Sequence, residues 1–106
     1  MSWLMFLSLT PLDKGESVGA YVARAVDVID RSGLDYRLTA VGTVLEADSW
    51  EELARVVQAC LEDLQRDCRR ISVLIKVDYR EGPKGRLRRA VESVAQRLGR
   101  PVPGVT

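Results

Sequence analysis

The sequence predicts an α+β domain in which a four-stranded antiparallel sheet carries two helices on one face. Three observations point there. Apolar periodicity switches between two residues and three-to-four residues along the chain, in the order strand, helix, strand, strand, helix, strand, then a further helix. The chain has 106 residues, the size of one domain, so residues 1–106 are expected to form a single unit. Apolar residues make up 46% and charged residues 29%, which suits one packed core and excludes a disordered or fibrous chain.

The elements follow in order. Trp3 to Leu9 is almost wholly apolar and stops at Thr10-Pro11, as a strand ended by proline does. Asp13-Lys14-Gly15-Glu16 is a turn, and Ser17 is the expected N-cap of the first helix. Val18, Tyr21, Val22, Ala25, Val26 and Ile29 then recur at three and four residues, and Ser32-Gly33 closes the helix with Gly33 as the left-handed C′ residue. Asp35–Ala40 and Thr43–Ala47 read as a hairpin about Val41-Gly42, with the glycine expected to supply a turn or bulge. Ser49-Trp50-Glu51-Glu52 is a capping box. Behind it Trp50, Leu53, Val57, Cys60, Leu61, Leu64 and Cys68 mark one helical face. Arg70 to Arg80 alternates, with Ile71, Val73, Ile75, Val77 and Tyr79 on one side and Leu74 the exception on the other, and predicts a strand with one buried face. Glu81-Gly82-Pro83 breaks it. A last helix is expected from about Lys84 to Leu98, before a tail rich in Pro and Gly.

This succession is the split βαβ pattern, so the expected architecture is ferredoxin-like, βαββαβ with sheet order 4-1-3-2 and an extra C-terminal helix. The first strand then lies inside the sheet. Trp3, Met5, Leu7 and Leu9 point to one face, while Leu4 and Phe6 point to the other. Two helices cover only one face. A large apolar side chain left exposed forfeits about 1.5–3 kcal/mol of burial, and a sheet-wide apolar patch is an association site. A second subunit is therefore expected over the Leu4 and Phe6 face, in preference to the one short extra helix.

Composition excludes several chemistries. The chain has no histidine, which removes the Ser-His-Asp and Cys-His arrangements and the commonest metal ligand. Cys60 and Cys68 would stand about 12 Å apart along one helix, too far for a disulfide, and they have no further Cys or His to complete a metal site. No catalytic residue, metal or cofactor is expected. No apolar run approaches the 18 or so residues of a membrane-spanning helix, and Met1 to Leu7 has neither the basic start nor the cleavage site of a signal peptide. The expected compartment is the cytoplasm, with no membrane partner. Net charge is +1 overall, yet residues 80–100 carry +5, leaving −4 elsewhere. A basic helix suits nucleic acid. RNA-binding modules of this topology, however, stack bases on sheet aromatics, and Ser72-Val73-Leu74-Ile75-Lys76-Val77 has none, so no nucleic-acid partner is expected.

The expected topology sets the third and fourth strands parallel to each other on either side of the first. Their C-terminal ends bring Glu46, Asp78 and Arg80 together with Ser2 or Trp3 between them, with the two carboxylates about 10 Å apart and with Thr43 and Lys76 a pleat or so deeper. Trp3, Thr43, Glu46, Lys76, Asp78 and Arg80 are thus the candidate ligand-binding residues, an aromatic wall with a hydroxyl, two acids and two bases. The same groups also suit solvated strand ends or intersubunit ion pairs.

The residues in sequence resemble a known family, the small thiamine-binding domains of the YkoF type. The likeness runs in order through Pro11-Leu12, Gly15-Glu16-Ser17-Val18, Tyr21-Val22, Ser32-Gly33-Leu34-Asp35-Tyr36, Gly42-Thr43-Val44-Leu45-Glu46, Ile75-Lys76-Val77-Asp78-Tyr79-Arg80 and Ala90-Val91-Glu92-Ser93-Val94. Ala40-Val41 and Ala47 depart from its usual Pro-Met and Gly. The resemblance implies a homo-oligomer, a tetramer built as a dimer of dimers. It further implies non-enzymatic binding of thiamine or its hydroxymethylpyrimidine part, with Thr43, Glu46, Lys76, Asp78 and Arg80 at the family's polar motif positions. A flat cationic ligand favours an aromatic surface beside a carboxylate, which Trp3, Glu46 and Asp78 are expected to provide. The alternative is a structural or regulatory homo-oligomer with an unrelated ligand or none.

Overall fold

A computed structural model describes residues 1–104. Along the chain lie β1 (Ser2–Pro11), α1 (Gly19–Arg31), β2 (Asp35–Thr39), β3 (Gly42–Ala47), α2 (Trp50–Gln65), β4 (Ile71–Arg80) and α3 (Arg86–Leu98). The sheet runs β2-β3-β1-β4 with every neighbouring pair antiparallel, which is the ferredoxin-like order expected from the sequence. Alternate residues of β1, namely Met5, Leu7 and Leu9, meet Leu45 and Ala47 of β3 beneath Ala25 and Ile29 of α1. Leu53, Val56, Val57, Cys60 and Leu64 of α2 complete this core.

Local signals set most of the boundaries. The Glu52 amide donates to the Ser49 hydroxyl at 3.2 Å, as the capping box requires. At the end of α1, Gly33 adopts φ 80° and its amide donates to the Asp30 carbonyl. At the other end, Val18 and not Ser17 precedes the helix, and the Val18 carbonyl accepts from the amides of Tyr21 and Val22. Helix α2 stops at Gln65, so Cys68 lies beyond it and is buried in the following turn. Cys60 and Cys68 are both free thiols, and burial pushes Cys60 up to about 11.

The hairpin corrects one expectation. Ala40-Val41 forms the turn, and the Thr39 hydroxyl accepts from the Val41 amide and donates to the Gly42 carbonyl. Gly42 has no positive φ. Its missing side chain makes room instead, since a Cβ there would stand 2.5 Å from the Phe6 ring and 3.0 Å from the Leu7 carbonyl.

Two departures concern coverage of the sheet. The strand expected to have a buried face, β4, has none: Val73, Ile75, Val77 and Tyr79 are 36–45% exposed although they share the helix side with the core residues. Helices α1 and α2 pack over β1, β2 and β3, and β4 overhangs them. On the opposite face α3 packs against β1 and β3, with Leu87 buried and with Leu4, Phe6 and Val44 half-buried. The face expected to await a subunit is therefore covered in part by the chain's own last helix.

Candidate ligand-binding site

Strand register divides the six candidate residues between two faces. Residues paired across antiparallel strands share a side. Glu46 and Asp78 both pair with Leu4, Lys76 pairs with Phe6, and Arg80 pairs with Ser2, so these four lie on the α3 side. Trp3 and Thr43, which pair with Ala47 and Leu7, lie on the side of α1 and α2. Their β1 positions, Trp3 and Leu7, are four steps apart, about 13 Å along the strand. The expected single pocket of all six is not formed.

The structure does bring Ser2, Glu46 and Asp78 together, and the residue that joins them is Arg86. Ser2 donates its hydroxyl proton to the Glu46 carboxylate at 2.5 Å and accepts from Arg86 Nε at 2.8 Å. The Arg86 guanidinium also donates to the Ser2 carbonyl, the Asp78 carbonyl and the Asp78 carboxylate. The amides of Gly85 and Arg86 donate to Glu46 at 3.1 and 3.3 Å. Glu46 thus caps the positive end of the α3 dipole from a distant strand. Burial pushes its carboxyl upward, but the hydrogen bonds from Ser2, Arg86 and Gly85 outweigh that, and the group sits below its ordinary value. The Arg86 guanidinium holds Asp78 down in the same sense. Nearby, Lys84 pairs with Asp48 at 3.2 Å. Each carboxylate in this cluster has a donor inside the protein, and the cluster fastens α3 to the sheet.

Thr43 stands in the opposite condition. It is 5% exposed and makes no hydrogen bond through its side chain among the described residues. It lines a cavity of about 290 Å³ between α1 and the sheet, whose walls include Leu7, Leu9, Val22, Ile29 and Leu38 together with Ser8 and Thr10. Val22, Val26 and Leu38 are shared with an adjoining groove that also carries Asp27, Asp30 and Tyr36. The Tyr36 hydroxyl donates to Asp30 at 2.8 Å, and that bond holds the phenol protonated above its usual range. A largely apolar slot that is also lined by Ser8, Thr10 and Thr43, opening onto an aromatic ring and two carboxylates, suits a flat heterocycle attached to a cation.

The family model that describes a thiamine-binding protein matches residues 5–95. The chain belongs to the thiamine-binding protein family. It is 41% identical over 101 residues to a UPF0045 protein of Mycobacterium bovis, covering 95% of this chain and 99% of that one. To a UPF0045 protein of Methanothermobacter thermautotrophicus it is 34% identical over 94 residues, covering 87% and 95%. Among solved structures, a hypothetical protein of Methanocaldococcus jannaschii superposes with a TM-score of 0.81 at 27% identity, covering 90% of this chain and 97% of that one. A Thermotoga maritima protein proposed to serve thiamine biosynthesis or salvage superposes at 0.74 over 92% of this chain and 99% of its own. Its identity is 18%, so that likeness speaks for the fold.

Within this thiamine-binding family member, the aromatic wall and the carboxylates expected together are on different faces. The Trp3 ring packs 4.6 Å from Tyr79 and 6.4 Å from Trp50 on the helix side, away from Glu46. Sequence reasoning missed Arg86, Asp27, Asp30 and Tyr36. Arg86 was one arginine in a basic helix, with nothing local to distinguish it. Asp27 and Asp30 did carry a signal, since three residues apart on a helix they share a flank. Among the described residues no helix is long and apolar enough to cross a membrane, and no group of His, Cys, Asp and Glu is placed to hold a metal ion.

Proposed function

We propose that this protein is a non-enzymatic binder of thiamine or its hydroxymethylpyrimidine part, acting as a homo-oligomer, and that the pyrimidine enters the cavity beside Thr43. The carrying observation is that, among the described residues, Ser2 and Glu46 are buried polar side chains bonded to each other, whereas the buried Thr43 makes no side-chain hydrogen bond and faces the cavity. Its hydroxyl offers one donor and two acceptor positions to ring nitrogen or amino groups. The cavity is large enough for one substituted pyrimidine ring, and the cationic thiazolium ring of thiamine then falls in the groove of Asp27, Asp30 and Tyr36. Membership of the thiamine-binding family supports the reading. In this assignment Glu46 and Asp78 act through α3, not on the ligand. Trp3, Lys76 and Arg80 lie outside the cavity.

Titration calorimetry with thiamine and with hydroxymethylpyrimidine tests it. Binding heat is expected for both in the wild type, weakened by Thr43→Val. Thiamine alone is expected to weaken with Asp30→Asn. Absence of heat with either compound up to millimolar concentration overturns the assignment.

A further inference from the structure

Helix α1 divides its charges between two flanks. Asp27 and Asp30 stand on the flank toward β2, where they line the groove beside the Thr43 cavity with Gly19, Val22, Val26 and Tyr36. Arg24 and Arg31 stand on the flank toward α2. Arg24 is held there by Asp63 and Asp67 of α2, at 2.9 Å each, and Arg31 lines a separate groove between the two helices. Among the described residues, no lysine or arginine lines the Thr43 cavity or the groove that adjoins it. The two carboxylates also differ from each other. Asp27 shares its charge with Arg31, which reaches it at 3.0 Å from outside the groove. Asp30 is exposed and forms no ion pair among the described residues, and its donor is a neutral phenol, the Tyr36 hydroxyl at 2.8 Å. It keeps a full negative charge at the groove.

We propose that Asp30 makes this site selective for the unphosphorylated ligand, so that thiamine is admitted and its phosphate esters are rejected. The inference rests on the assignment of the Thr43 cavity to the pyrimidine. With the pyrimidine there, the thiazolium ring and its hydroxyethyl arm lie in the groove, and a phosphate on that arm comes beside Asp30. The carboxylate and the Tyr36 ring attract the cation. A phosphate monoester instead brings a charge of about −1.5 to −2 near neutral pH, and it calls for the charged donors that this groove lacks. The positive end of the groove is the start of α1 at Gly19, with about half a charge, and it stands about 16 Å from Asp30 along the helix axis. A dianion about 6 Å from a carboxylate loses about tenfold in affinity even at the dielectric constant of water. Asp27, Asp30 and Leu38 are all exposed, so bulk does not keep the phosphate out and charge carries the discrimination. The protein would then take its ligand ahead of any reaction that esterifies the hydroxyethyl group.

Titration calorimetry of the full chain with thiamine, thiamine monophosphate and hydroxymethylpyrimidine tests the proposal. In the wild type at low salt the monophosphate is expected to bind about tenfold more weakly than thiamine. Raising sodium chloride from about 50 mM to about 500 mM should narrow that gap, since salt screens exposed charges. Asp30→Asn is expected to narrow it as well and Asp30→Lys to reverse it, with hydroxymethylpyrimidine unaffected by either. A monophosphate that binds as tightly as thiamine, or more tightly, overturns the selectivity and leaves the Thr43 assignment standing. A gap that neither salt nor Asp30→Asn alters traces to shape and overturns the role of Asp30. The salt series needs no variant and decides even if a substitution disturbs the fold. Failure of hydroxymethylpyrimidine to bind overturns the Thr43 assignment, and this inference with it.

Discussion

Glu46 and Thr43 lie three residues apart on β3, and both are almost fully buried. An odd separation on a strand puts them on opposite faces. At the Glu46 end a serine hydroxyl, two backbone amides and the neighbouring arginine complete a closed network. At the Thr43 end a largely apolar cavity borders a hydroxyl that bonds to no other group among the described residues. The contrast separates two uses of buried polarity. A satisfied cluster fixes geometry, whereas a hydroxyl that opens into a cavity stays available to a ligand. The acidic residue that attracts attention in the sequence already has its partners inside the protein, and the modest threonine is the better candidate for contact.

Crossed effects at the two ends would sharpen this comparison, and matched effects would break it. Glu46→Ala strands the Ser2 hydroxyl and the first amides of α3, and is expected to cost about 3 kcal/mol of stability in urea unfolding, while thiamine heat per folded molecule is preserved. Gly42→Ala drives a methyl into the Phe6 ring on the α3 face. A loss of about 2 kcal/mol is expected from overpacking, again with little change in affinity. Thr43→Val should do the reverse, weakening ligand binding about tenfold for one lost hydrogen bond with the urea midpoint hardly moved. If Thr43→Val unfolds the protein and Glu46→Ala abolishes binding in a folded one, the two roles must be exchanged.

The smallest expected effect is a pH dependence. Glu46 and Asp78 are both held below their ordinary values in the folded protein. Each therefore contributes stability that is present above the unfolded pKa and is lost as pH falls through the folded one. Urea midpoints measured downward from neutral pH should begin to fall near the ordinary Glu value of 4.5. Glu46→Gln should flatten part of that slope, and an unchanged slope would detach the carboxylate from the stability of α3.

Much of the fold was legible because its signals are local. The capping box of Ser49 and Glu52, the closing Gly33, and the alternation of Ile71 to Tyr79, broken at Leu74, each depend on neighbours within a few residues. Less of the site was legible. Register on paper placed Glu46, Asp78 and Ser2 near one another, and the structure agrees. It did not supply the parity that sends Trp3 and Thr43 to the other face, although counting along β1 and β3 would have given it. Nor did it reveal Arg86, whose partners lie 84 and 8 residues away. The Gly42 role was misread for the same reason, since the Phe6 ring that needs the space comes from another strand.

By itself, then, the sequence determined the order and type of the elements, the antiparallel sheet and the family, because periodicity, caps and turns act over a few residues. Tertiary structure alone decided which apolar rows are covered and which polar groups are satisfied. Those outcomes depend on where α3 returns and on how far two helices reach across four strands, and the chain's short-range pattern holds no measure of either. That is why an alternating strand with every mark of a buried face lies open in β4, and why an acidic candidate contact became the cap of a helix that begins 40 residues later.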